Sequence, residues 1–393
     1  MRVKSVLTGA AALAAALSAT PAAGELKIGA LYPITGAGAS YGTSAMQGHE
    51  LAVDQINEDG GVNGEKLVTL TRDTQLNPSL SAAAAKELIT KDGVQVLVGT
   101  VSSAVALAVS EVAKREGVPF IATIAKTVRL TTDRRHDYVF RVATNTVFEG
   151  DAIAEIVSTL DKSTYCDLQL DYAYGHDLSD GIEQGLKKYA PAMERLASLR
   201  VKLGAADYSQ VISQILGAGC EVVTSGLWGS FFINFAQQAK PFGLFDQVTL
   251  VNGGESGAVE VTGRMGDDYP PNVWANAYEL WYFHPSRAHV AFQESLAEKV
   301  GTQETNNYPV LGFTAVQFLA EAAQKAGNNS SEAIASTLPG LTIYSPVGER
   351  TMDAETHQAN TGQFWGELKP KEGFSHYVMD PVIYIPPMGA PPQ

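Results

Sequence analysis

The stretch LYPITGAGASYG, Leu31 to Gly42, sets three glycines between an apolar, strand-like run and a helix-like one. Such a turn could cradle a phosphate, because amides at a helix N-terminus attract anions and glycine lets them approach closely. The spacing argues against it. Gly36, Gly38 and Gly42 read G-x-G-x-x-x-G, one residue longer than the dinucleotide fingerprint. The acidic residues about 20 positions on, Glu58 and Asp59, sit beside glycines at a helix end instead of at a strand end. HDLSDG, His176 to Gly181, places His176, Asp177 and Asp180 within about one helical turn, which could hold a metal but more simply marks a polar helix start. The chain carries no G-x-S-x-G, no H-E-x-x-H and no Walker loop, and its seven histidines are scattered. With no nucleophile and base at recognisable spacing, an enzyme is disfavoured, and no cofactor or metal is expected.

The elements that must position these residues alternate regularly. LKIGALY, Thr43 to Asn57, KLVTLTR, Ser79 to Lys91, VQVLVG, Ala104 to Glu116 and VPFIAT read as strand and helix in turn, which predicts parallel α/β units. Asp59-Gly60-Gly61 and Gly117 supply helix stops. After FRVATNTVFEG the pattern restarts with STYCDLQL, Ser179 to Tyr189, LASLRVKL, Tyr208 to Leu216, CEVVTSG, Phe231 to Gln238 and QVTLVN. Two α/β lobes joined near Ala143 to Thr146 are therefore expected. Beyond Tyr278 the pattern is less regular, although Val310 to Gly327 reads as an amphipathic helix with a glycine stop. GERTMDAETHQANTGQFWGELK reads as short strands and turns, as if the chain crosses back to the first lobe and returns. PPMGAPPQ reads as a loose tail.

Composition narrows the class. Arg2 and Lys4 precede an apolar run from Val6 to Ala19, and Ala22, Ala23 and Gly24 follow, the pattern of a secretory signal peptide over residues 1–24. That run and every other fall short of the roughly 18 consecutive apolar residues of a membrane helix. No cysteine follows the leader to take a lipid anchor, so a periplasmic chain without membrane insertion is expected. About 370 mature residues exceed what one core usually serves, which favours two domains. Without Arg2 and Lys4 the 28 basic residues become 26, against 42 acidic ones, for a net charge of −16. This repels nucleic acid and anionic membrane. Cys166 and Cys220 each open a strand-like run, and in an oxidising compartment they could pair or remain buried thiols. A bond between them would stabilise by about 4 kcal/mol on the chain-entropy model.

KIGALYPITGAGASYG, the helix ending QINEDGGVNG, VLVGTVSSAVALAVSEVAKREGVPFIA, YVFRVATNT and YAYGHDLSDG occur in that order. Together they closely resemble the leucine/isoleucine/valine-binding type of periplasmic solute-binding proteins, over nearly the whole mature chain. The resemblance implies two flavodoxin-like lobes with parallel sheets, joined by a three-segment hinge and closing on a small ligand that is handed to an ABC permease. It places residues 25–144 plus 281–360 in lobe 1 and residues 145–280 plus 361–393 in lobe 2.

The resemblance also implies a binding site. The serine that holds a ligand carboxylate falls on Ser103, with Ser102 beside it. A hydroxyl and free amides at a helix start suit an anion, and both serines could also cap the helix that follows. A second contact comes from the segment IATIAKTVRLT, including Ile124, where the family's threonine falls on Lys126 unless Thr123 or Thr127 takes its place. Lys126 could strengthen carboxylate binding, stand in solvent, or pair with Glu255. In the family the equivalent of Glu255 takes the ligand ammonium, which favours an amine-bearing ligand. Tyr41, Tyr174 and Trp228 complete the set, the tryptophan standing where a tyrosine is common. The implied protein captures a small carboxylate-bearing, amino-acid-like ligand. Receptors for aromatic or other organic acids, for amides or urea, and a periplasmic sensor subunit of the same fold are the alternatives.

Overall fold

A computed structural model describes residues 24–284 and 286–387. The expected signal peptide lies outside the described residues except for Gly24, and so do the last six residues of PPMGAPPQ.

The first series folds as expected from its alternation. It comprises β1 (Glu25–Tyr32), α1 (Ala39–Glu58), β2 (Lys66–Asp73), α2 (Pro78–Thr90), β3 (Val96–Gly99), α3 (Ser103–Glu116), β4 (Phe120–Ala122) and β5 (Val139–Arg141). Its strands form a parallel sheet ordered β2-β1-β3-β4-β5. VLVG in β3 and FIA in β4 are buried throughout, as central strands covered on both faces must be. Helix α1 begins at Ala39, not Thr43, so Tyr41 stands in a helical first turn and not in a loop. Gly42 permits this start, because a Cβ there would lie 2.0 Å from the Pro33 carbonyl oxygen. The glycine that breaks the nucleotide spacing thus lets α1 pack against the exit of β1.

The second series contains α4 (Thr146–Thr159), β6 (Thr164–Leu170), α5 (Ala173–Tyr189), β7 (Glu194–Val201), α6 (Ser209–Ala218), β8 (Val222–Ser225), α7 (Gly229–Ala239), β9 (Thr249–Asn252), α8 (Val259–Met265) and β10 (Val273–Ala277). Its parallel strands are ordered β7-β6-β8-β9-β10, the same relative order as the first sheet. Both follow the flavodoxin-like doubly wound plan, in which ligands sit beyond the carboxyl ends of the strands. Helix α5 starts at Ala173, six residues before the expected Ser179, and carries Tyr174 and His176 in its first turn. Cys166 of β6 and Cys220, just before the neighbouring β8, form a disulfide with a Cα separation of 5.7 Å.

The chain then returns to the first sheet. Helices α9 (Arg287–Val300), α10 (Pro309–Ala326) and α11 (Ser331–Thr337) precede a hairpin of β11 (Thr342–Ser345) and β12 (Gly348–Thr351). Gly327 ends α10 at a left-handed φ of 61°. Helix α10 packs on α1 so closely that a Cβ on Gly48 would lie 1.8 Å from the Pro309 carbonyl oxygen. Afterwards β13 (Gln363–Lys369) joins the second sheet antiparallel to β10, and β14 (Val378–Met379) and β15 (Ile383–Ile385) pair with β13. Gly48→Val should force α1 and α10 apart and destabilise the protein by about 1–3 kcal/mol. A urea midpoint equal to the parent's would show that the close approach is dispensable.

Candidate ligand-binding cleft

Six strand ends converge on one cavity. Tyr41 follows β1, Val101 and Ser103 follow β3, Ile124 and Lys126 follow β4, Tyr172 and Tyr174 follow β6, Trp228 follows β8, and Glu255 follows β9. Tyr308, from the turn before α10, closes the lining. Of the residues expected from the sequence, only Ser102 does not line this cavity. The space left between the side chains is about 20 Å³, roughly room for one water, so the two sheets stand closed against each other.

One end of the cavity presents hydrogen-bond donors. Ser103 is the first residue of α3, whose first-turn amides lack intrahelical partners. Its Oγ accepts from the Thr127 amide at 3.2 Å, which leaves its own proton free to donate. Ser102 holds the N-cap position with extended backbone, but its hydroxyl makes no capping bond and is buried without a partner among the described residues. The expected capping by the two serines is therefore not what they do. Thr123 is buried after β4, its hydroxyl beside Tyr32, whereas Thr127 donates to Asp177.

The other end is a buried ion cluster. Lys126 reaches across from the first sheet and donates to Glu149, Glu255 and the Gly253 carbonyl, the last at 3.1 Å. Its ammonium is fully engaged, so it offers nothing to a ligand carboxylate and does not stand in solvent. Glu149 also accepts from the Tyr174 hydroxyl at 2.9 Å and Asn276 Nδ2 at 3.1 Å. Glu255 accepts from the Tyr308 hydroxyl at 3.0 Å and Gln363 Nε2 at 3.2 Å. The Glu255 backbone is left-handed, with φ of 51°, and is pinned by a 2.7 Å bond from its amide to Asn276 Oδ1. Burial alone would depress the Lys126 ammonium, but Glu149 and then Glu255 outweigh it and hold the group above its usual range. Burial raises the Glu255 carboxyl, with Glu149 adding to the effect and Lys126 opposing it.

Aromatic rings form the walls between these ends. The Tyr41 centroid lies 4.4 Å from Tyr308 and 5.3 Å from Trp228. Trp228 Nε1 donates to the Tyr172 hydroxyl at 3.1 Å and so fixes the indole plane. Burial first, then the charges of Glu255 and Glu260, push the Tyr41 phenol well above its usual range, and its hydroxyl, close to Tyr308 and Gly229, makes no well-aligned hydrogen bond among the described residues. It remains a neutral donor inside the cavity.

Beside the cleft, Glu260 of α8 accepts from Ser44 of α1 at 3.3 Å and from the Asn307 amide at 3.1 Å. Burial raises its carboxyl to about 7. The folded protein therefore keeps a proton that the unfolded chain loses above about 4.5, and this contribution to stability disappears as pH rises through about 7. Glu260→Gln should gain stability relative to the parent across that window, on the order of a few kcal/mol by its end. Thermal midpoints from pH 4.5 to 8 test this, and a constant difference between the two proteins would contradict it.

Sequence reasoning passed over Glu149, Asn276, Tyr172 and Tyr308. Asn276 carried a signal, since VWANA sets an amide in an otherwise apolar strand. Tyr172, two residues before Tyr174 in DYAYG, carried another. In HDLSDG, His176 pairs with Asp171 at 2.8 Å and Asp177 accepts from Thr127.

The periplasmic binding protein family model matches residues 25–373. Leu/Ile/Val-binding protein homolog 8 of Brucella abortus (strain 2308) is 28% identical over 363 residues, covering 87% of each chain. Two solved structures share the fold. A solute binding protein of an ABC transporter from Rhodopseudomonas palustris BisB5, in complex with 3,4-dihydroxy benzoic acid, has a TM-score of 0.82 at 22% identity and covers 92% of this chain and 97% of that one. The branched-chain amino acid transporter substrate binding protein LivJ from Streptococcus pneumoniae, in complex with isoleucine, has a TM-score of 0.79 at 22% identity and covers 92% of this chain and 99% of that one. The matched segment spans both sheets, and the chain belongs to the periplasmic binding protein family, of the leucine/isoleucine/valine-binding type.

Proposed function

We propose that this protein is the receptor of an ABC importer in the periplasm and captures a small aromatic carboxylate, held by its carboxylate at Ser103 and by its ring among Trp228, Tyr41 and Tyr172. The carrying observation is the pairing of a helix-start serine with a wall of aromatic rings in one interdomain cavity. The Rhodopseudomonas palustris protein bound to 3,4-dihydroxy benzoic acid lends support from the same fold. The Tyr41 hydroxyl, which makes no well-aligned hydrogen bond among the described residues, suits a polar group on the far side of the ring. In this reading the lobes comprise residues 25–144 plus 281–360 and residues 145–280 plus 361–393. They part to admit the ligand and close on it, the closed form engages the permease, and no bond is made or broken.

One observation favours an amino-acid ligand instead, as in the LivJ complex. Two buried carboxylates, Glu149 and Glu255, share the single ammonium of Lys126, and a ligand ammonium would find the same acceptors if it displaced the lysine. A thermal-shift screen against aromatic acids, amino acids and amides separates the two readings. A ligand at about 100 times its dissociation constant should stabilise by about 2.7 kcal/mol. Ser103→Ala should weaken acid binding about 10- to 100-fold, the worth of a hydrogen bond to a charged group. A screen in which amino acids shift the midpoint and no aromatic acid does would overturn the proposal, and loss of acid uptake in a deletion strain tests the link to import.

A further inference from the structure

We propose that Lys126 is a tethered stand-in for a ligand ammonium, and that its side chain sets the ligand class by reserving Glu149 and Glu255 against amines. This rests on the reading that the cavity binds a carboxylate between the lobes.

A primary ammonium has three protons to place. All three acceptors of Lys126, the carboxylates of Glu149 and Glu255 and the carbonyl of Gly253, belong to the second series, while the lysine enters from the loop after β4 of the first. The ammonium therefore arrives at these acceptors from the cleft side, as a free amine would. Aromatic faces flank it as they would flank a bound cation, with Nζ 5.4 Å from the Tyr174 ring centroid and 5.8 Å from that of Tyr278. The group is sealed, since Lys126 is 4% exposed and Glu149 is fully buried. Lys126 and Glu255 line the same cavity as Ser103, so a molecule with its carboxylate at Ser103 and an amine nearby would set that amine against the lysine. Two like charges would then compete for one pair of carboxylates in a medium of low polarity. A carboxylic acid without an amine meets no such conflict. The sealed pair also means that removing the lysine side chain leaves two buried carboxylates facing a space of ammonium size, which must take up a cation or a proton.

The test compares ligands that differ only by the amine, together with variants that empty the lysine's place. By calorimetry the parent should bind 3-phenylpropanoate at least about ten-fold more tightly than L-phenylalanine, a preference of about 1.4 kcal/mol. Lys126→Ala should respond to methylammonium chloride with a saturable rise in thermal midpoint, whereas the parent, Lys126→Met and a tetramethylammonium control should not. The same alanine variant should bind L-phenylalanine at least ten times more tightly than the parent does, and adding Glu255→Gln should abolish the gain. Should Lys126→Ala not fold, Lys126→Ala/Glu149→Gln, which leaves one carboxylate, takes its place in both arms. The inference is overturned if the parent binds L-phenylalanine as tightly as 3-phenylpropanoate, or if the folded alanine variant ignores methylammonium. If the parent binds neither acid nor amino acid, the carboxylate reading fails, and the methylammonium arm still decides the role of Lys126.

Discussion

Lys126→Met is expected to lower the unfolding free energy by about 3–5 kcal/mol, the range seen when one member of a buried ion pair is removed. Methionine fills most of the lysine stem, so little of the loss comes from packing. The loss arises because Glu149 and Glu255, both buried, would keep their hydrogen bonds from Tyr174, Tyr308 and Asn276 but have no counter-charge. The two-lobed fold offers a second response. The cleft can open and hydrate the carboxylates, and small-angle scattering should then report a larger radius of gyration for the variant. Glu149→Gln in the same chain should restore part of the loss, with a coupling above about 1 kcal/mol in a double-mutant cycle. Urea unfolding at pH 7.5 gives the number. A midpoint within error of the parent's, together with unchanged scattering, would mean that the ion cluster does not hold the lobes together.

Trp228→Ala should raise the dissociation constant for the preferred acid at least about 30-fold, corresponding to the roughly 2 kcal/mol of a binding hot spot. The indole is buried, packs edge-on to Phe231 at 4.8 Å and faces Tyr41, and its Nε1 bond to Tyr172 orients a second ring of the wall. Alanine would remove a stacking face and release Tyr172 together. Trp228→Phe keeps a face and loses the bond, so its effect should be smaller, within about ten-fold. Calorimetry of the three proteins checks the order. An alanine variant that binds as tightly as the parent would place the ligand ring elsewhere.

Much of this was legible in the sequence because the chemistry of a parallel α/β fold is written locally. Short runs such as VLVG and FIA, set in an alternating series, read as buried strands, and glycines such as Gly117 and Gly327 stop helices where their positive φ is needed. Tyr41, Ser103, Lys126, Tyr174, Trp228 and Glu255 follow strand ends, and the structure brings them to one cavity. Helix starts were less legible. Gly36, Gly38 and Gly42 read as loop, yet the close approach of α1 to Pro33 makes Gly42 a helical residue. The partners of Lys126 could not be read in full. Glu149 sits in the first turn of α4, where an acidic residue ordinarily serves the helix dipole, and only the closure of one lobe on the other turns it into an ion-pair member. Tyr308 and Asn276 likewise join the ion cluster through contacts more than 50 and more than 120 residues away, with Glu255 and Glu149 respectively.

A crystal structure of the protein with its tightest-binding aromatic acid tests the proposed site directly. The carboxylate should lie within hydrogen-bond reach of Ser103 Oγ and the first amides of α3, the ring against Trp228, and Lys126 should still be bonded to Glu149 and Glu255. A carboxylate seated on Lys126, with its bonds to Glu149 and Glu255 broken, or a ligand bound outside the cleft, would contradict this arrangement.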